Sequence, residues 1–152
     1  MTYLHTQRSL RLVLLNLLLA SFAVRLLMKT SVPGVPTGVR LTLYVVLFVL
    51  LATAVTFSSF TISAGDGRLA WWFGPHMLRK EVALASIVAA EPTTTSVVNG
   101  WGIHPTPRGW LYNVAGRQAV LVTLQGGKQF LLGTDEPLRL AGALLPNASP
   151  PR

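Results

Sequence analysis

The stretch that decides the fold is LTLYVVLFVLLATAVTFSSFTISA, residues 41–64, which contains no Asp, Glu, Lys, Arg or His. As a helix, a segment of this length would rise roughly 36 Å, which is enough to cross a bilayer core of about 30 Å. A soluble domain of this size has no use for such a segment. We therefore predict a transmembrane helix over residues 41–60, whose end passes into a strand rich in Phe, Thr and Ile.

A less regular apolar segment, residues 12–28, precedes this stretch and is interrupted by Asn16 and Arg25. It could form a spanning helix, an amphipathic helix on the membrane surface, or a signal peptide cut after the small residues at 21–23. Leu18 and its apolar neighbours lie in the middle of the helix side that carries the basic residues, where a surface helix would need polar ones. Apolar residues also continue beyond the possible cleavage site. The pattern therefore favours a second transmembrane helix.

The connection between the two segments, residues 30–38, holds two prolines and two glycines and cannot continue a helix. A connection this short places the two helices antiparallel, so both chain ends lie on one side of the membrane. Before Asp66 the chain has no acidic residue, and its basic residues are Arg8, Arg11, Arg25, Lys29 and Arg40. These charges flank the apolar segments, where they suit lipid headgroups and help to set the topology.

The composition bounds the rest of the chain. Its 152 residues carry a net charge of +8 and include no cysteine, which excludes disulfides, thiolate metal sites and Cys nucleophiles. No block of like charges suggests a nucleic-acid-binding arm. From Asp66 onward the composition is that of an ordinary globular domain. We expect a membrane anchor over residues 1–64, one domain over 65–145 and a disordered tail over 146–152.

Within this domain the hydrophobic period changes from helical to strand-like. Strands are predicted over residues 57–64, 69–73, 79–88 (as one or two strands), 111–114, 119–124 and 129–132, with an irregular stretch over 92–109. Gly-containing turns at residues 65–67, 115–117 and 125–127 suit tight hairpins. A helix begins near Thr134 or Asp135, which can cap it, and ends before Pro146.

An ordered set of short motifs runs through the same region. It consists of Asp66-Gly67-Arg68-Leu69, Trp72-Phe73-Gly74-Pro75, Gly100-Trp101-Gly102-Ile103, the run GWLYNVAG at 109–116 and the run FLLGTD at 130–135. With these motifs, residues 56–145 resemble the bacterial pleckstrin-homology-like (PH-like) domains that are attached to membrane hairpins. The resemblance implies a mainly-β fold, a small antiparallel sheet or open barrel with a C-terminal capping helix. It also implies a binding or scaffolding module, not an enzyme, with no cofactor and no metal.

The expected partners are membrane lipid and either another membrane protein or further copies of this chain, docked at the bilayer surface. Nucleic acid and small-molecule substrates are not expected. The resemblance and the basic residues near the chain ends together predict an integral protein of the bacterial inner membrane with its C-terminal domain in the cytoplasm.

The best candidate for a partner-binding site is the stretch of residues 101–110, which combines two Trp, one His and one Arg with glycines and prolines that limit loop freedom. Trp and Arg dominate binding hot spots. The predicted partner-binding residues are Trp101, His104, Arg108, Trp110 and Tyr112. The alternative is that both tryptophans pack inward and only hold the connection in place.

A second candidate is the pair Arg79 and Lys80, which we predict to contact lipid headgroups. The neighbouring Trp71 and Trp72 face opposite sides of a strand, so one belongs to the core. The other must be exposed, at the bilayer interface or covered by a partner.

Two other functions stay open. A membrane-bound hydrolase would use His76 or His104 and would need a deep pocket with a carboxylate beside that histidine. A lipid-surface sensor would use the pair Arg79 and Lys80 against anionic headgroups. A G-x-G-x-x-A pattern at residues 65–70 is followed by Trp and Phe, which favours a hairpin over a dinucleotide site.

Overall fold

The computed structural model describes residues 3–31, 33–96 and 102–145. These residues form three α-helices, α1 (Leu10–Lys29), α2 (Thr37–Thr56) and α3 (Pro137–Leu144). They also form nine strands: β1 (Tyr3–Arg8), β2 (Ser59–Gly65), β3 (Arg68–Phe73), β4 (Met77–Ala83), β5 (Ile87–Thr94), β6 (Gly102–Thr106), β7 (Gly109–Asn113), β8 (Gln118–Leu124) and β9 (Gln129–Gly133). A short 3-10 helix, Leu84–Ser86, joins β4 to β5. The predicted tail, residues 146–152, lies outside the described residues.

Both predicted apolar helices are present, and each is long and apolar enough to cross a membrane. α1 extends the predicted segment by two residues at its start, whereas α2 begins four residues early and ends at Thr56 instead of residue 60. α2 begins directly after Pro36, because proline is disfavoured inside a helix but tolerated at its edge. β2 begins at Ser59, within the range predicted for the helix.

The two helices pack along a seam of small and polar side chains. Asn16, Ala20 and Ala23 are buried on α1, and Ala54 is buried on α2. Small residues allow helix backbones to approach closely where no water drives them together. Within the seam, Thr53 Oγ1 donates a hydrogen bond to Asn16 Oδ1 at 3.0 Å, and Asn16 Nδ2 donates to the Leu12 carbonyl at 2.9 Å. The polar interruption in the first apolar segment is therefore an interhelical contact.

The β domain consists of two sheets in the described residues, one with the order β1-β2-β3-β4 and one with the order β5-β8-β9-β7-β6. The first sheet is antiparallel throughout, and the second contains one parallel pair, β7 with β9. Alternate residues of β2 and β3 point into the space between the sheets, where α3 closes the core. The largest fully buried apolar side chains of this core are Phe60, Ile62, Leu69, Phe73, Val114, Val120, Val122, Leu132 and Leu140. A separate buried cluster consists of Leu111, Ala119, Leu121 and Leu131.

Strand β1 was not expected from the sequence. It pairs with β2 along its whole length, from Tyr3 opposite Ala64 to Arg8 opposite Ser59. The β domain therefore draws on residues before the helices and begins earlier than residue 65, and the helical hairpin is inserted between its first two strands. The short segment YLHTQR becomes a strand through this long-range pairing, because its own composition carries little strand signal.

Side chains of β1 also contact the start of α3. His5 contacts two carboxylates, with Nε2 hydrogen-bonded to Asp135 and Nδ1 at 3.5 Å from Glu136. The Arg139 guanidinium lies over the Tyr3 ring at 5.5 Å and pairs with Glu136 at 3.0 Å. Burial raises the pKa of the Tyr3 hydroxyl above its ordinary value. These contacts join the first strand of the domain to its last helix.

The predicted hairpin at residues 115–117 is wrong. β7 and β8 are not neighbours, because β9 lies between them, and the chain crosses over the end of β9. Asn113 shapes this crossing: its Oδ1 accepts from the Ala115 amide at 3.1 Å and its Nδ2 donates to the Gly116 carbonyl at 3.2 Å. Its side chain lies directly against Gly133, where no β-carbon would fit. The predicted turns at 65–67 and 125–127 do join adjacent antiparallel strands.

The irregular stretch predicted over residues 92–109 is also partly wrong. β5 continues to Thr94, and β6 occupies Gly102–Thr106. The prolines at 92 and 105 lie on the edge strands β5 and β6, where a missing amide proton costs least.

We predict that Asn16→Ala destabilises the helix pair by about 0.6 kcal/mol, and by no more than about 1.7 kcal/mol, the range measured for interhelical hydrogen bonds in membranes. The effect is small because Thr53 Oγ1 also lies within hydrogen-bond distance of the Val49 and Leu50 carbonyls. Reversible unfolding of the full chain in mixed micelles measures it. Ser21→Ala is the matched control, because that exposed hydroxyl bonds only within its own helix, to Leu18. If Asn16→Ala and Ser21→Ala are equally stable, the hydrogen bond between Asn16 and Thr53 does not stabilise the helix pair.

A second prediction concerns alkaline pH. A tyrosine whose pKa is raised on folding stabilises the fold below its unfolded pKa, which is 10.0, and this contribution is lost as pH rises through the higher folded value. Tyr3→Phe has no proton to lose. The free energy of unfolding should therefore fall less in Tyr3→Phe than in the parent chain between about pH 8 and about pH 11. A difference between the two proteins that stays constant over this range would show that Tyr3 is not responsible.

Candidate functional site

A cleft of about 360 Å³ opens between the edge strand β4 of the first sheet and strands β7 and β9 of the second. We call it the basic–aromatic groove. Its lining residues are Trp71, Lys80, Glu81, Val82, Trp110, Tyr112, Leu124, Lys128, Gln129 and Phe130. Side chains from both sheets meet here, so the groove exists only in the folded domain.

The floor of the groove is a rigid aromatic cluster. The Trp71 ring stacks on Phe130 with centroids 4.9 Å apart, and Tyr112 lies tilted against Trp71 at 5.4 Å. All three side chains are buried. Trp71 points inward because, on a strand, it shares a face with the buried side chains of Leu69 and Phe73. Stacked rings of this kind hold their positions, so the floor is preformed.

Lys80 brings a positive charge into this apolar surrounding. Its Nζ donates a hydrogen bond to Tyr112 Oη at 2.9 Å and lies 5.2 Å from the centre of the Tyr112 ring. These two distances place the ammonium group at the hydroxyl end of the Tyr112 ring, at the rim of the aromatic floor. Lys128, which is exposed after the β8–β9 turn, adds a second positive charge to the lining.

The one acidic residue of the lining, Glu81, is already paired. Its carboxylate accepts from Arg68 at 2.7 Å and from Arg79 at 3.3 Å. Both arginines lie on the outer face of the sheet, opposite the groove. Glu81 therefore does little to offset the two lysines inside, and the groove has a net positive charge.

Trp110 forms the exposed wall of the groove. Its side chain is 50% exposed, although it lies on β7 opposite Phe130 of β9. The neighbouring Leu111 points to the other face and is fully buried. An exposed indole beside two ammonium groups gives a surface that can take both an apolar and an anionic part of a ligand.

The structure brings together three of the residues predicted from sequence, Lys80, Trp110 and Tyr112, but in a different grouping. Tyr112 is buried, so that its ring belongs to the floor of the groove and its hydroxyl accepts the hydrogen bond from Lys80. Lys80 was predicted to act with Arg79 at lipid headgroups. Adjacent residues of a strand point to opposite faces, so Arg79 lies outside over the Trp72 ring at 5.8 Å.

Of the other predicted partner-binding residues, His104 and Arg108 do not line the groove. His104 is half-buried on β6, opposite Leu111. Arg108 is exposed in the β6–β7 turn, where its guanidinium donates to Thr93 Oγ1 at 3.3 Å. Trp101 lies outside the described residues. The part of the predicted binding loop that the structure describes belongs to the β6–β7 hairpin, with His104 and Trp110 on opposite faces.

Sequence reasoning missed Lys128, Gln129 and Phe130. Gln129 is held in place because its Nε2 donates to Thr123 Oγ1 at 3.1 Å on the paired strand. Nothing local marks a lysine after a glycine turn as part of a site. The parallel pairing of β7 with β9 places these residues beside Trp110, and no sequence pattern predicted that pairing.

The histidines do not converge on the groove. Two carboxylates contact His5, those of Asp135 and Glu136. His76 stacks on Trp72 with centroids 4.8 Å apart. Residues 3–31, 33–96 and 102–145 contain no group of three or more His, Asp or Glu side chains arranged to hold a metal ion.

Comparison with known proteins adds no assignment to this geometry. No protein-family model matches the chain, and neither a curated protein nor a solved structure matches it.

Proposed function

We propose that this chain is a membrane-anchored, PH-like binding module, and that its basic–aromatic groove holds an acidic segment of a partner protein. The observation that carries the proposal is the meeting of Lys80 and Lys128 with the half-exposed Trp110 over a rigid aromatic floor. A binding module needs such a preformed concave surface with a few directed polar groups.

The exposed surface of the helices supports the membrane anchor. α2 is apolar on all sides, and a helix of that kind is stable either inside a large core or in lipid. Here it contacts α1 along one seam and exposes the rest, including Tyr44, Phe48 and Val55. Lipid is the solvent that makes this exposure favourable, because each such side chain gains about 1.5–3 kcal/mol on leaving water.

Strand β1 argues that α1 is retained as a helix and not removed as a signal peptide. Cleavage after residues 21–23 would remove β1 along with the start of α1. The first sheet would then lose its edge strand, and α3 would lose its contacts with Tyr3 and His5. Both strands that flank the helices belong to one sheet, so the β domain lies on one side of the bilayer, which we assign to the cytoplasm of a bacterial cell.

The fold supports the PH-like assignment at the level of architecture. A four-stranded antiparallel meander faces a second sheet, and the C-terminal helix α3 closes the core between them. The parallel pairing of β7 with β9 departs from the purely antiparallel arrangement that the resemblance implies. The departure bears directly on function, because this pairing builds one wall of the groove.

The charge of this chain favours a different protein, and not a second copy of the chain, as the occupant of the groove. The chain has five acidic residues against 13 basic ones, so it offers little to a basic groove. Of those five, Glu81, Asp135 and Glu136 are already engaged with arginines or with His5. A partner with a short run of Asp or Glu and an apolar residue for Trp110 fits the groove in both charge and shape.

The groove is tested by titrating the full chain in zwitterionic micelles with a fluorescent, Leu-containing poly-glutamate peptide. We predict that Lys80→Gln and Lys128→Gln each weaken binding about fivefold, since a partly exposed charge pair contributes about 1 kcal/mol. At high salt, where apolar contact dominates, Trp110→Ala should weaken binding more than either lysine variant does. Arg117→Gln removes the same charge at an exposed position outside the groove and should have no effect.

The same titration can overturn the proposal. An equal loss in Arg117→Gln and in the two lysine variants would mean that the peptide responds only to net charge. Soluble glycerophosphate serves as a second competitor. If it displaces the labelled peptide at a lower concentration than the unlabelled peptide does, the ligand is a lipid headgroup.

The anchor makes a separate prediction. A chain tagged at its N-terminus should stay in the membrane pellet after an alkaline carbonate wash, and the pelleted chain should keep its tag because β1 belongs to the folded domain. Loss of the tag from the mature protein would show that α1 is cleaved. Release of the tagged chain into the wash would show that the helices do not span the bilayer.

A further inference from the structure

The turn between β3 and β4 lies against the last turns of α2, at the level where the proposed membrane anchor ends. We infer that this turn and α2 form a lipid site, in which the acyl chain of a phospholipid lies in an apolar notch with its phosphate near Arg79. The inference rests on the membrane placement proposed above, and it concerns a surface separate from the basic–aromatic groove.

The notch has a volume of about 300 Å³. Its lining is almost wholly apolar and consists of Phe48, Leu51, Ala52, Val55, Thr56 and Met77. The hydroxyl of Thr56 faces the Met77 sulfur at 3.5 Å. The notch therefore offers an occupant dispersion contacts and almost no hydrogen bonds, which is the environment of a hydrocarbon chain.

The turn is fixed to the helix by its backbone. Gly74 has φ +47° and approaches so closely that a β-carbon there would lie 2.6 Å from the Val55 carbonyl oxygen. Its amide also donates to the Ser59 carbonyl at 2.9 Å. Only glycine permits this approach. The turn therefore stays beside the end of α2, and the notch between them is preformed.

Two apolar side chains at the start of β4, directly after this turn, are exposed. Met77 is 43% exposed and Leu78 is 51% exposed. Leu78 adopts φ +50°, and His76 adopts φ +61°, a region that residues other than glycine rarely occupy. The strand pairing is irregular at the same point, since β4 uses one residue more than β3 between two adjacent pairs. The backbone at Leu78 is therefore strained while the side chain stays exposed. Contact of this side chain with lipid would offset the free energy of the strain.

Polar and aromatic groups lie next to the notch, at the height of the headgroups. Trp72 stacks on His76, and the Arg79 guanidinium lies over the same indole at 5.8 Å. Trp and Arg concentrate at membrane interfaces because one end of each is apolar or planar and the other end is polar. A guanidinium also forms strong hydrogen bonds to phosphate.

The lining of the notch favours lipid over a second membrane helix. Helices that pack together in membranes place small residues at the contact, as α1 and α2 do with Ala20, Ala23 and Ala54. The notch presents large side chains instead, and Phe48 is 72% exposed. A flexible acyl chain can fill the space beside such side chains, whereas a helix backbone could not approach it closely.

The chain has no cysteine, so single cysteines can carry an environment-sensitive NBD label in the full protein reconstituted in bilayers. Labels at Leu78→Cys and Met77→Cys should emit at shorter wavelength and lose most of their emission when the lipid carries a nitroxide near the top of its acyl chain. A label at Asp66→Cys, in the exposed turn at the other end of the sheet, should keep its emission. Two labelled positions guard against a variant that misfolds.

A label at Val45→Cys, in the middle of α2, separates this inference from the membrane placement. Quenching at Val45 by a deep nitroxide, with none at residues 77 and 78, would overturn the lipid site and leave the anchor in place. No quenching at Val45 would overturn both. Disulfide formation between copies at Met77→Cys, which lines the notch, without quenching by lipid would show that a second copy fills the notch.

Discussion

The pairing of β1 with β2 is the constraint on which the rest of the structure depends. The chain leaves the sheet at Arg8, passes through both helices and returns at Ser59 directly opposite, with the Ser9 amide bonded to the Ser58 carbonyl at 2.9 Å. Neighbouring strands lie about 4.8 Å apart, whereas packed helices need about 8–10 Å between axes. The start of α1 and the end of α2 must therefore already lie close together where they leave the sheet. The small side chains of the seam allow this close approach. No linker separates helices and sheet, so the domain has a fixed orientation on its anchor.

Because this orientation is fixed, the two faces of the first sheet have different surroundings. The inner face is committed to the core, except at β4, where an edge strand leaves the floor of the groove open. The outer face carries Trp72, Arg79 and the turn beside α2, all on the side of the domain nearest the helix ends. The alternation of side chains along β4 places Lys80 on one face and Arg79 on the other. Two adjacent basic residues thus point to opposite faces, Lys80 into the groove and Arg79 onto the outer face, where we propose a lipid site.

The parts of the fold that could be predicted from sequence are those with a local cause. α2 follows from an uninterrupted apolar run, and the β2–β3 hairpin follows from Asp66 and Gly67, both of which adopt the positive φ that a tight turn needs. β1 and the crossover from β7 to β8 depend on residues far apart in the chain, such as the packing of Asn113 against Gly133. The same limit applies to the site. Trp110, Tyr112 and Lys80 stand out by residue type, but Lys128 joins them only through a parallel strand pairing that no turn motif announces.

A groove with two lysines and one exposed indole is a weak site by itself, since partly exposed charge pairs contribute about 1 kcal/mol or less each. Anchoring changes this estimate in two ways. Confinement to the bilayer raises the effective concentration of any partner in the same membrane. The rigid junction at Arg8 and Ser59 also fixes the direction in which the groove faces, so less orientational freedom is lost on binding. Both effects act without any new contact in the groove. The affinity proposed for the groove would therefore depend on β1, although no residue of β1 lines the groove.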